Sequence, residues 1–92
     1  MQTIMKTTSR HLSDKLTTEE RDLLPSSDFG IPETREFPMP DAAHVRAAEA
    51  YFRYASETDK PLLAYRILLK AQEYGVEVKS LTVLEWAEKY KP

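Results

Sequence analysis

Four prolines fall within sixteen residues, at Pro25, Pro32, Pro38 and Pro40, with Gly30 between them. Proline fixes φ and has no backbone N–H, so the segment excludes a helix and discourages a central strand. Phe29, Ile31, Phe37 and Met39 are interleaved with these breakers. Linkers seldom leave two Phe and an Ile to solvent. Residues 25–40 are therefore expected to form an extended arm that lays apolar side chains over a helical core.

On the N-terminal side of the arm, Thr17-x-x-Glu20 has the spacing of a capping box, in which each side chain satisfies a backbone N–H left unpaired at a helix start. A two-turn helix is expected over 18–24, stopped by Pro25. Residues 1–16 are polar, with Lys6, Arg10, His11 and Lys15 and no acid before Asp14. No apolar stretch of about 7–15 residues follows, so they do not read as a secretory signal. They are expected to be a flexible N-terminal tail.

Beyond the arm, the spacing predicts a helix over 41–56. Asp41 is its cap, Val45, Ala48, Phe52 and Ala55 form the buried face, and Glu49 with Arg53 makes an i,i+4 pair outside it. A second helix is expected over 60–74, with Pro61 in its first turn, Asp59 or Thr58 as its cap and Gly75 as its stop. Leu62, Leu63, Ala64, Tyr65, Ile67, Leu68, Leu69, Ala71 and Tyr74 surround its axis, leaving Arg66, Lys70 and Glu73 as one narrow wet stripe. A helix apolar nearly all round is central in a bundle or shared with a partner. A last helix is expected over 81–90, starting at Ser80 or Thr82, with Thr82-x-x-Glu85 as a second capping box. The expected fold is all-α: one helical domain over 17–92, with a short helix, an extended arm, an antiparallel helix hairpin and a C-terminal helix.

Composition removes several chemistries. The chain has no Cys, so thiolate nucleophiles and Cys-ligated zinc are excluded, and two Gly leave no phosphate-cradling loop. A formal charge of −2 argues against generic polyanion binding. No apolar run approaches the ~20 residues of a membrane span. The one enzyme-like pairing is Asp41 with His44, an i,i+3 carboxylate and imidazole. A metal site needs further ligands and acid–base work needs a second polar partner. Asp41 capping the helix, with His44 packed under the arm, accounts for both residues without a reaction. Neither catalysis nor a metal or cofactor is expected.

Tyr51, Tyr54, Tyr65, Tyr74, Trp86 and Tyr90 sit at helical spacing beside leucines, which reads as core with hydroxyls reaching the surface. Ala71, Gly75, Val76, Leu81 and Leu84 partly match a helix-turn-helix over helices 61–74 and 81–90. The would-be recognition helix carries Glu85 and Glu88, and no Arg is placed to read guanine. DNA binding is the alternative reading, and a disfavoured one.

The run Leu24-Pro25-Ser26-Ser27-Asp28-Phe29-Gly30-Ile31-Pro32, then Arg35-Glu36-Phe37-Pro38-Met39-Pro40-Asp41-Ala42-Ala43-His44-Val45-Arg46, resembles a small phage- and prophage-associated bacterial domain of unknown function. That domain's pattern is LP-x-S-x-F-(A/G)-x-P followed by R-x-(Y/F)-P-(I/M/L)-x-D-x-x-H-(A/V)-R. Its marked positions fall here on Phe29, Pro32, Arg35, Phe37, Pro38, Asp41 and His44. The chain departs from the family at Gln72-Glu73, where the family tends to be basic. The resemblance implies a mobile-element setting inside the cell and no particular activity. Together with the apolar excess on helix 60–74, the expected function is a non-catalytic, cytoplasmic interaction or assembly module. Its partner is a protein or a second copy of the chain, met through Leu62, Tyr65, Leu69, Trp86 and Tyr90.

Overall fold

The computed structural model describes residues 16–92. The tail expected over 1–16 therefore lies outside the described residues, apart from Leu16. Thr17 opens α1 (Thr18–Leu23) with a complete capping box: its hydroxyl accepts from Glu20 N at 3.1 Å, and Glu20 Oε1 accepts from Thr17 N at 2.9 Å.

The expectation of an all-α chain is overturned in the next segment. After a 3-10 turn at Ser26–Asp28, β1 (Phe29–Ile31) pairs antiparallel with β2 (Glu36–Pro38), Phe29 facing Pro38 and Ile31 facing Glu36. The arm is folded back on itself rather than simply extended. A ribbon of two strands has only edges, so prolines excluded from a central strand are tolerated at its turn (Pro32) and its end (Pro38). The reversal places Arg35 at φ 56 and Phe37 at φ 59. That left-handed region favours Gly or Asn, and neither occupies these positions.

Gly30 explains how closely the ribbon lies on the helices. A Cβ there would collide with Leu63 Cδ1 and lie 3.1 Å from Phe37 Cβ. With no side chain at this position, the β1 backbone seats on the buried Leu63 without displacing its Cδ1.

Asp41 caps α2 (Ala42–Tyr51), accepting from His44 N at 2.9 Å. The helix expected to reach 56 ends earlier and tightens into a 3-10 turn at Phe52–Tyr54, which turns Phe52 into the core. The third helix, α3 (Lys60–Tyr74), has Asp59 at its N-cap position. The Asp59 carboxylate is engaged by Ser56 Oγ at 3.0 Å instead of by the helix N-terminus. Gly75 closes α3 in the left-handed conformation, φ 71, with its N–H on the Ala71 carbonyl. The fourth helix, α4 (Leu81–Glu88), starts from Ser80, whose hydroxyl accepts from Val83 N at 3.2 Å. Thr82 and Glu85 lie inside it, so the second capping box expected from sequence does not form, and α4 ends two residues before Tyr90.

The core lies where the ribbon, α2, α3 and α4 meet. Ile31, Met39, Val45, Ala48, Phe52, Leu63, Ala64, Ile67, Ala71 and Val83 form one buried cluster. The stripe expected to be wet is largely a latch. Arg66 donates from Nε to the Phe29 carbonyl at 2.7 Å and from Nη2 to the Ser27 carbonyl at 2.6 Å. Lys70 Nζ reaches Asp28 Oδ1 at 2.7 Å. Periodicity assigns Arg66 and Lys70 to solvent, whereas they carry the arm.

Candidate functional site

The motif positions divide into an anchor and a cleft. Phe29 is fully buried, with the Arg35 guanidinium 4.4 Å and that of Arg21 5.9 Å from its ring centroid. Arg35 Nη2 also donates to the carbonyls of Arg21 (2.8 Å) and Leu24 (3.0 Å). These residues tie α1 to the ribbon turn begun by Pro32, and the guanidinium of Arg35 is spent on that task.

The cleft lies between β2 and α2. Phe37, Pro38, His44, Ala47, Ala48 and Tyr51 line a space of about 140 Å³. His44 Nδ1 lies 2.8 Å from Asp41 Oδ1, the same oxygen that caps α2. An ionised carboxylate only accepts, so in the neutral ring Nδ1 carries the proton and Nε2 is left with a lone pair. Nε2 is buried and is the one such side-chain nitrogen or oxygen among the described residues without a hydrogen-bond partner. Sequence spacing pointed to the Asp41–His44 pair. It gave no signal for Ala47 or Tyr51, whose place in the cleft depends on where the ribbon folds.

A second hollow of about 230 Å³ is lined by Ser27, Arg66, Leu69, Lys70 and Glu73. Arg66 and Lys70 are already engaged by Ser27, Phe29, Asp28 and Glu73. They hold the arm, and an anion here would compete with that work.

The interface residues expected from sequence are only partly free. Tyr65 and Leu69, one turn apart on α3, remain 39% and 45% exposed. Tyr65 stacks on Tyr90 with ring centroids 4.7 Å apart. Leu62 is half-buried on the same stripe of α3. Trp86 is half-buried beneath two cations, Lys89 at 4.5 Å and Lys60 at 5.8 Å from its ring.

The helix-turn-helix spacing fares less well. Ala71 is buried and Gly75 is left-handed, as that motif requires. Leu81, expected inside, is 73% exposed, and the buried residue of α4 is Val83. The outward side of α4 offers Glu85 and Glu88. Facing phosphates, these carboxylates raise the cost of approach.

Among the described residues no group of three or more His, Asp or Glu side chains is arranged to hold a metal ion. No helix among them is long and apolar enough to cross a membrane. No protein-family model matches the chain, and neither does any curated protein or solved structure.

Proposed function

We propose that the chain is a non-catalytic interaction module that associates with a second copy of itself through the outer stripe of α3 and the residues that follow α4. One observation carries this reading: the Tyr65–Tyr90 stack, with Leu69 one turn along α3, leaves large apolar groups side by side at the surface. Aromatic residues are enriched at the centres of protein interfaces because they bury much area at little entropic cost. Its cytoplasmic, mobile-element setting follows from the resemblance of Leu24–Arg46 to a phage-associated domain.

Size exclusion with light scattering tests the reading. A mass rising above the 10.6 kDa of one chain with concentration is expected, and Leu69→Glu should return the chain to a monomer. A wild-type monomer at high micromolar concentration would sink it. Fluorescence anisotropy with duplex DNA at low salt distinguishes the nucleic-acid reading, for which no binding is expected.

A further inference from the structure

Two separate surface features of the chain are complementary in shape and in charge. The first is the cleft between β2 and α2, walled by Phe37, Pro38, Ala47, Ala48 and the Tyr51 ring. Its space of about 140 Å³ is close to the cavity of about 150 Å³ that takes benzene. The four-carbon isobutyl group of a leucine is smaller than benzene and enters with every wall in place.

Beside this cleft stand two cations without counter-ions. Arg46 and Arg53 are exposed, seven positions apart along α2 and the 3-10 turn that continues it. Arg46 has no partner among the described residues, and Arg53 meets neutral groups, the Ala50 carbonyl and the hydroxyl and ring of Tyr54. The acids of the same elements turn their carboxylates to other donors. Glu49 accepts from Lys79 N and Ser80 N, Asp41 from His44 N, and Glu36 from the Thr34 hydroxyl.

The second feature is the outer face of α1. Leu23, its last residue, is 84% exposed. A lone surface leucine is ordinary, but this one is flanked by acids. Glu19 lies one turn before it and Asp22 beside it, both exposed and without an ion pair among the described residues. The hydrogen bonds between Arg21 and Arg35 anchor the helix that presents it.

We propose that Leu23 of one copy seats in the β2–α2 cleft of another, with Glu19 and Asp22 meeting Arg46 and Arg53. Charge selects this occupant: residues 1–15 of the chain carry Lys6, Arg10 and Lys15 against Asp14, the wrong sign for a basic rim. Knob and cleft are different surfaces, so the contact is head-to-tail and copies add in series, whereas the shared α3 surface closes pairs. One leucine and two exposed ion pairs make a contact of about millimolar strength. Alone it leaves the chain monomeric at micromolar concentration, and it gains weight where α3 already holds copies together. The contact rests on the chain's being an interaction module, but not on association through α3.

Complementation tests it in full-length Leu69→Glu protein, which removes the α3 contact. One copy carries Leu23→Glu and keeps its cleft. The other carries Ala47→Leu, which fills the cleft, and keeps its Leu23. Neither pairs with itself, and together they have one intact contact. Adding unlabelled Ala47→Leu copy to ¹⁵N-labelled Leu23→Glu copy should give saturable shifts at Ala47, Ala48 and Tyr51, with half-saturation at about 1 mM in low salt. Unlabelled Leu23→Glu copy should give none. Raising salt from about 0.05 to about 0.5 M should weaken binding about fivefold, because exposed pairs are screened. If Ala47→Leu fails to fold, Ala47→Glu blocks the cleft by repelling Glu19 and Asp22. No cleft shift up to about 5 mM, equal shifts from the copy lacking Leu23, or binding indifferent to salt would each overturn the proposal. Failure here, with wild-type dilution shifts intact on α3, strikes this contact alone. Cleft shifts in a protein that does not associate through α3 strike the α3 reading alone.

Discussion

Arg21 and Arg35 hold each other's backbones. Arg21 Nη2 donates to the Arg35 carbonyl at 2.6 Å, and Arg35 Nη2 donates to the Arg21 carbonyl at 2.8 Å. This reciprocal clasp joins α1, too short to be stable alone, to the turn of the ribbon. Arg35→Ala should cost about 2–3 kcal/mol, because partly buried charged donors and the stacking on Phe29 are lost together. Arg35→Gly should be milder by about 1 kcal/mol, since glycine relieves the left-handed backbone. Urea denaturation midpoints distinguish the two. Equal destabilisation would mean that the positive φ carries no strain.

The two glycines separate steric from backbone demands. Gly30→Ala should destabilise by about 1–3 kcal/mol, because the new Cβ meets a fully buried Leu63. Gly75→Ala has open space around its Cβ and faces only the φ of 71°. It should cost about 1 kcal/mol. Thermal unfolding followed by circular dichroism reads both, and the order of the two midpoints is the informative result.

Glu49 joins elements that sequence spacing kept apart. Its Oε2 accepts from Lys79 N at 2.9 Å and from Ser80 N at 2.7 Å, fixing the start of α4 against α2. Arg53, its expected partner, instead donates to the Ala50 carbonyl and the Tyr54 hydroxyl. Glu49→Ala should therefore destabilise by about 1–2 kcal/mol, more than an exposed ion pair is worth. Amide exchange should accelerate first at Ser80 and Val83. Unchanged exchange there would refute the role.

Stability should decline in alkali through Lys70 and Tyr74. Burial under the arm pulls the Lys70 ammonium down, but hydrogen bonds and charge from Asp28 and Glu73 outweigh it, and its pKa rises from the ordinary 10.5. A lysine raised on folding contributes stability that is complete below its unfolded value and lost as pH climbs through its folded value. Burial also raises the Tyr74 hydroxyl above its ordinary 10.0, helped by the charge of Glu73. The unfolded phenol then ionises first, which again favours unfolding in alkali. Neither group should alter the melting temperature between neutral pH and about pH 9. Both should lower it above pH 10, and Lys70→Met should shrink that fall. A fall of the same size in Lys70→Met would exclude the Asp28–Lys70 pair as its cause.

The helices were legible because their signals are local: the Thr17–Glu20 box, Asp41 before α2 and Gly75 after α3 act within a few residues. The ribbon was not. Its reversal uses Arg35 and Phe37 at positive φ, where sequence reasoning looks for glycine or asparagine, and its prolines mimic an unpaired arm. Periodicity makes Arg66 and Lys70 a wet stripe because it assigns faces and cannot name what packs on them. Of the two starts open to α4, Ser80 is the one its own hydroxyl caps, and Glu49, thirty-one positions earlier, holds the Ser80 N–H from a distance that local spacing does not show. For the cleft, the Asp41–His44 spacing was visible, whereas Tyr51 joins it only because the ribbon folds over α2.

The central claim is that the outer stripe of α3 and the segment following α4 form the contact surface between copies. A ¹H–¹⁵N dilution series, from high to low micromolar, tests it residue by residue. Concentration-dependent shifts should gather at Leu62, Tyr65, Leu69 and Tyr90, and Leu69→Glu should abolish them. A spectrum unchanged by dilution would contradict the account, as would shifts confined to other exposed apolar residues such as Leu23 or Leu81.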